Sequence, residues 1–169
     1  MPKNKKNFLV VIILACAVAI AFTVAAGNSI VKEKEMKVGK NITVEDITDF
    51  YYTKAESTNP PYYQRYRFYV DNGKYMFYRE KREGNSFPLT EKDISSTDTK
   101  ELSEQEWSAF CNCIIGGKVS KRTENTESGN SGPWTYLYWK GDRSKYQEYE
   151  FESPEKAAEF EEMCKELSE

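Results

Sequence analysis

Asp71-Asn72-Gly73-Lys74 lies midway between two runs of alternating aromatic, aliphatic and charged residues, Tyr62–Val70 and Tyr75–Lys81. Asn-Gly is the preferred two-residue hairpin turn, because both central positions of that turn need a left-handed backbone. A two-residue turn here sets the register of the whole hairpin. Val70 then faces Tyr75, Phe68 faces Phe77 and Tyr66 faces Arg79 on one side. On the other side Tyr69 faces Met76, Arg67 faces Tyr78 and Arg65 faces Glu80, the last an opposite-charge cross-strand pair. A three-residue turn would set Arg65 against Arg79, so the two-residue turn is preferred. The Phe68/Phe77 face is expected to be buried and the Arg65/Arg67 face to meet water.

Two helices are punctuated clearly. Ser103 and Glu106 form a capping box, with Leu102 and Trp107 placed as a hydrophobic staple. Trp107, Phe110, Cys111, Ile114 and Ile115 follow the spacing of a buried stripe, and Gly116-Gly117 ends it. The second helix has Ser153 as N-cap, Pro154 at its first position and Glu155 against the dipole. Its apolar face is Ala157, Phe160, Cys164 and Leu167. Further β signal lies over Ile42–Tyr52, Trp134–Trp139 and Tyr146–Phe151, with Lys118–Arg122 a short strand. Ser57–Pro61 and Glu83–Lys100 read as loops, the second long and polar. The expected fold is α+β: an antiparallel sheet of about five or six strands, in two meanders, with two helices packed on one face.

At the N-terminus, Lys3, Lys5 and Lys6 precede an uncharged apolar run over residues 8–26. Its nineteen residues approach the roughly 20 that a membrane-spanning helix needs and slightly exceed a signal-peptide core. Three fates are open: an uncleaved anchor, a signal peptide cut after Ala26, or lipidation at Cys16. Each puts the rest of the chain at the outer face of the cell membrane or in the medium. Residues 1–26 are thus a signal peptide or anchor, 27–40 a polar tether, and 41–169 one domain.

Residues 27–169 carry 21 basic and 27 acidic side chains, a net charge of −6. That argues against a nucleic-acid partner, since phosphate binding needs a basic surface. Histidine is absent, which removes Ser-His-Asp and Cys-His nucleophile systems and His-based zinc sites. The residues call for no cofactor and no metal. Glu45, Asp46 and Asp49 cluster near the first strand and are the candidates for a carboxylate-based hydrolase, without the glycine-bearing spacing of an EF-hand. Cys111 and Cys113 point about 200° apart on a helix, whereas Cys111 and Cys164 lie on apolar helix faces and could form a disulfide. Such a bond would close a loop of about 50 residues and contribute on the order of 4 kcal/mol.

Twelve tyrosines are more than one small core accommodates. If helices cover one face, part of the aromatic set stays on the other beside Arg65 and Arg67. Exposed tyrosine and tryptophan suit a protein or sugar ligand, because such rings give contact area at little entropy cost. The expectation is a non-catalytic binding module for a protein or cell-envelope glycan, with Arg65, Arg67, Tyr69 and Tyr78 as the binding residues. The alternatives are the carboxylate hydrolase and an inhibitor or accessory subunit of another exported protein.

The segments Val44–Tyr52, Tyr63–Val70 and Leu137–Asp142 resemble a group of small exported or lipoprotein-like bacterial proteins of unassigned activity. The resemblance covers about residues 42–168, implies export and carries over no site.

Overall fold

The computed structural model describes residues 35–122, 132–140 and 146–169, all within the unit Lys34–Glu169. Strands β1 (Met36–Lys37), β2 (Ile47–Glu56), β3 (Tyr62–Asp71), β4 (Lys74–Arg82), β5 (Ile94–Glu101), β6 (Lys118–Lys121), β7 (Trp134–Trp139) and β8 (Tyr146–Glu150) form one sheet, ordered β1-β6-β8-β7-β2-β3-β4-β5. All of its strand pairs are antiparallel. Helices α1 (Glu104–Ile114) and α2 (Pro154–Glu166) pack on one face and on each other.

The β3–β4 hairpin has the expected register, from Asp71 opposite Lys74 to Arg65 opposite Glu80. Asn72 and Gly73 adopt φ of 50° and 79°, the left-handed pair that the turn requires. Once this register is set, side-chain alternation commits Phe68 and Phe77 to one face, and both are fully buried. β2 pairs with β3 and adds Phe50 to that face.

The helices bring the rest of the core. The Phe110 ring stacks on Phe68 with centroids 4.2 Å apart and planes 4° apart, and meets Phe50 edge-on at 5.3 Å. Phe160 of α2 packs beside both Phe50 and Phe68. Trp107 stacks on Tyr75 at 4.5 Å, next to the Leu102 N–H bond to the Tyr75 carbonyl. α1 begins with the expected box: Ser103 Oγ accepts from the Glu106 N–H at 3.2 Å, and Glu106 accepts from the Ser103 N–H at 2.7 Å. It ends where Gly116 turns to φ 86°. A Cβ on Gly117 would collide with the Tyr149 ring, whose hydroxyl donates to the Ile114 carbonyl at 3.0 Å.

The sheet has eight strands, not the expected five or six. β5 lies within the segment read as a polar loop. All eight of its residues are exposed, so it carries no apolar alternation for a sequence reading to find. β1 lies within the segment read as a tether, and the adjoining Val38 is buried in the core. The two halves are not separate meanders: β6 pairs with β8 rather than β7, and β7 pairs with β2 to complete a single sheet. Against the expectation of a membrane anchor, no helix among the described residues is long and apolar enough to cross a membrane. Residues 8–26, Cys16 and the cut after Ala26 lie outside the described residues.

Phe110→Ala is expected to cost about 3–5 kcal/mol in urea unfolding, because it opens a cavity at the helix–sheet junction. Thr99→Ala, on the exposed edge strand, should stay within about 0.5 kcal/mol. Glu106 gives a pH signature. Its bonds to the Ser103 backbone and to Lys100 lower its carboxyl pKa to about 2 from an ordinary 4.5. A depressed folded-state pKa contributes stability above the unfolded value, lost as pH falls through the folded one. The stability gap between the native chain and Glu106→Gln should therefore be full above about pH 4.5 and close towards about pH 2.

Candidate functional site

Alternation places the Asp49, Tyr51, Thr53 and Ala55 side chains of β2 on the face opposite Phe50. Pairing extends that face in rows. Tyr138, Asp49, Tyr69 and Met76 form one row; Tyr136, Tyr51, Arg67 and Tyr78 the next; Trp134, Thr53, Arg65 and Glu80 the third; and Ala55, Tyr63 and Arg82 the last. No helix among the described residues packs on this face. Arg65, Arg67, Tyr69 and Tyr78 are thus brought together on the side expected to meet water. They are half-buried rather than open, because the rings and guanidinium groups cover one another.

Arg67 is held firmly. Its Nη2 and Nε donate to the two Asp49 carboxylate oxygens at 2.5 and 2.9 Å. Its guanidinium carbon lies 4.3 Å from the Tyr69 ring centroid and 4.9 Å from that of Tyr51. The Asp49 bond raises the Arg67 pKa further, and burial followed by the Asp49 charge raises that of Tyr51. Bidentate pairing and ring contact on both sides leave this side chain little rotational freedom.

Arg65 is held differently. The expected cross-strand pair with Glu80 is present as a register, but the Glu80 carboxylate turns along its own strand. It accepts from Arg82 Nε at 2.6 Å and from the Tyr78 hydroxyl at 2.8 Å. Burial and that bond push the Tyr78 phenol up to about 12, so it remains a donor at neutral pH. Glu80 and Arg82 are both buried. Among the described residues Arg65 has no ion pair: its Nε donates to Thr53 Oγ1 at 3.1 Å, and its guanidinium lies near the Tyr51 and Tyr63 rings. A pocket of about 150 Å³ opens here, lined by Thr53, Tyr63, Arg65, Arg82, Leu89, Trp134 and Tyr136.

Leu89 reaches the pocket from the segment before β5. It is buried against Ala55 and Tyr63, and its carbonyl accepts from Arg82 Nη1 at 3.1 Å. The Tyr63 hydroxyl is buried and makes no hydrogen bond among the described residues, although Thr53 lies beside it. Burial raises the Tyr63 pKa against the lowering effect of Arg65 and Arg82. Thr53, Tyr63, Arg82 and Trp134 were not among the binding residues read from the sequence, although the hairpin register puts Tyr63 and Arg82 on the Arg65 face. Leu89 carried no signal, lying with Phe87 and Ile94 in a polar segment without apolar periodicity.

The hydrolase candidates do not converge. Glu45 and Asp46 lie in a 3-10 turn (Val44–Asp46), where Asp46 accepts from the Thr43 hydroxyl at 2.6 Å, while Asp49 is engaged by Arg67. No group of three or more Cys, Asp or Glu side chains could hold a metal ion among the described residues. Cys111, Cys113 and Cys164 are free and buried, so the possible Cys111–Cys164 disulfide is not formed. Each thiol sits in the apolar helix–sheet interior, and burial raises the pKa of all three, that of Cys111 to about 11. No protein-family model, curated protein or solved structure matches the chain.

Glu80→Gln should be the most damaging polar change on this face. It leaves the buried Arg82 guanidinium without its counter-charge, a change that costs about 3–5 kcal/mol at buried pairs. The denaturation midpoint measures the loss, and Lys74→Ala, which removes an exposed pair with Glu101, should change stability by less than about 1 kcal/mol.

Proposed function

We propose that the protein is a non-catalytic binding module whose helix-free sheet face takes a protein or cell-envelope glycan, through Arg65, Arg67, Tyr69 and Tyr78. The carrying observation is the prearranged Arg67, clamped by Asp49 and flanked by the Tyr51 and Tyr69 rings. Groups already held in one rotamer lose little entropy on binding, so their contacts translate more fully into affinity. Arginine and tyrosine are also the residue types that carry much of the energy in protein interfaces. The engagement of Asp49 by Arg67 favours binding over carboxylate chemistry, because Arg67 already donates to both of its oxygens. The proposed setting, at the outer face of the cell membrane or in the medium, is supported by the sequence alone.

Capture of envelope components by the full chain tests the face. Arg67→Ala and Tyr78→Ala should each lose a component that the native chain retains, while Glu159→Ala on the helix side retains it. Circular dichroism of each variant separates loss of the face from loss of the fold. Equal capture by folded Arg67→Ala, Tyr78→Ala and native chains would overturn the assignment.

A further inference from the structure

Resting on the binding face proposed above, we infer that the pocket between Arg65, Tyr63 and Trp134 is a subsite for one carboxylate, supplied by an acidic side chain of a protein partner. Four observations converge on this chemistry. The first is charge. Arg82 is neutralised by Glu80, whereas Arg65 has no ion pair among the described residues. The lining therefore presents about one unit of positive charge, which suits a carboxylate better than a phosphate ester of about −1.5 to −2.

The second is donor geometry. Arg65 uses Nε on Thr53, and its two terminal nitrogens make no hydrogen bond among the described residues. A planar guanidinium accommodates a planar carboxylate through paired N–H bonds. The third is the Tyr63 hydroxyl, buried in the same lining with no hydrogen-bond partner among the described residues. A buried polar atom left unpaired is costly, and a carboxylate oxygen would accept a hydrogen bond from it. Tyr63 is 7 % exposed, and its ring lies 5.6 Å from the Arg65 guanidinium and 4.2 Å from that of Arg82.

The fourth is size. The volume of about 150 Å³ is well below the roughly 300 Å³ at which pockets begin to hold whole small ligands. It matches a side group of something larger that lies along the face. Leu89 and Trp134 supply apolar walls for the methylenes of a glutamate stem. A uronic acid carries its carboxylate directly on a bulky ring and has no such stem to place there. Arg65 was expected to bind beside exposed aromatic rings; here it acts with Tyr63, while Arg82 and Leu89 shape the lining.

The probe is N-acetyl-glutamate N-methylamide, which has one carboxylate and no other charge, titrated into the full chain and followed by the Trp134 indole N–H in NMR spectra. A dissociation constant of about 1 mM is expected for a single isolated group. The glutamine analogue should leave the resonance unmoved. Arg65→Gln should weaken binding roughly tenfold, and Tyr63→Phe by a smaller factor, in line with bonds to a charged group. If Arg65→Gln does not fold, Arg65→Lys serves: it keeps the charge, loses the fork, and should still bind several-fold more weakly. No movement of the Trp134 signal at tens of millimolar probe, or equal response to the glutamine analogue, would overturn the subsite. Tighter binding of methyl glucuronoside than of the glutamate probe would overturn the protein source. Capture that depends on Arg67 while the probe fails would remove the subsite and leave the face standing; capture insensitive to every face substitution would remove the face itself.

Discussion

The contact between Phe110 and Phe68 organises the molecule. It is a parallel stack in the middle of the sheet, framed by Phe50, Phe77, Trp107 and Phe160. Burying several large rings in one layer supplies most of the driving force that ties the helices to the sheet. It also settles the parity of the strands. With Phe68 inside, Arg65 and Arg67 must be outside, because neighbouring residues of a strand point to opposite faces. The chemistry of the open face therefore follows from packing on the closed one.

On the open face, the problem is to hold charged side chains on a surface dense with tyrosine. Arg67 solves it with Asp49 and two rings, and Arg82 with Glu80, the Leu89 carbonyl and the Tyr63 ring. Both arrangements satisfy the cation internally. Arg65 is satisfied only through Nε. The difference arises because Glu80 lies between two arginines and a tyrosine, and the arginine on its own strand takes it. One displaced partner converts a structural cross-strand pair into a cation with bonding capacity to spare.

Much of the fold was legible in local sequence. The Asn72-Gly73 turn needs a left-handed backbone at two adjacent residues, and the Ser103/Glu106 box, the Ser153 cap and the proline at the start of α2 act within four residues. Effects of that range do not depend on distant chain. β5 was not legible, because an edge strand wetted on both faces has the composition of a loop and is ordered only by its ladder with β4. Val38 and Leu89 were missed for a related reason: each lies in a polar segment and its burial is supplied by chain far away, Val38 bonding the Gly116-Gly117 backbone and Leu89 packing on Ala55 and Tyr63.

The sequence by itself determined the hairpin register, the helix boundaries and the separation of phenylalanine from arginine across the sheet, since these follow from turn chemistry, capping and two-residue alternation. It also determined that the chain has no histidine to work with. Tertiary structure decided which carboxylates Arg67 and Arg82 meet, that Leu89 packs against Ala55 and Tyr63, and that all three core thiols remain free and buried. Those outcomes depend on competition among side chains brought together from separate strands, and on burial that exists only once the sheet and helices have packed. Spacing along the chain specifies which residues can meet; only the packed geometry specifies which of them do.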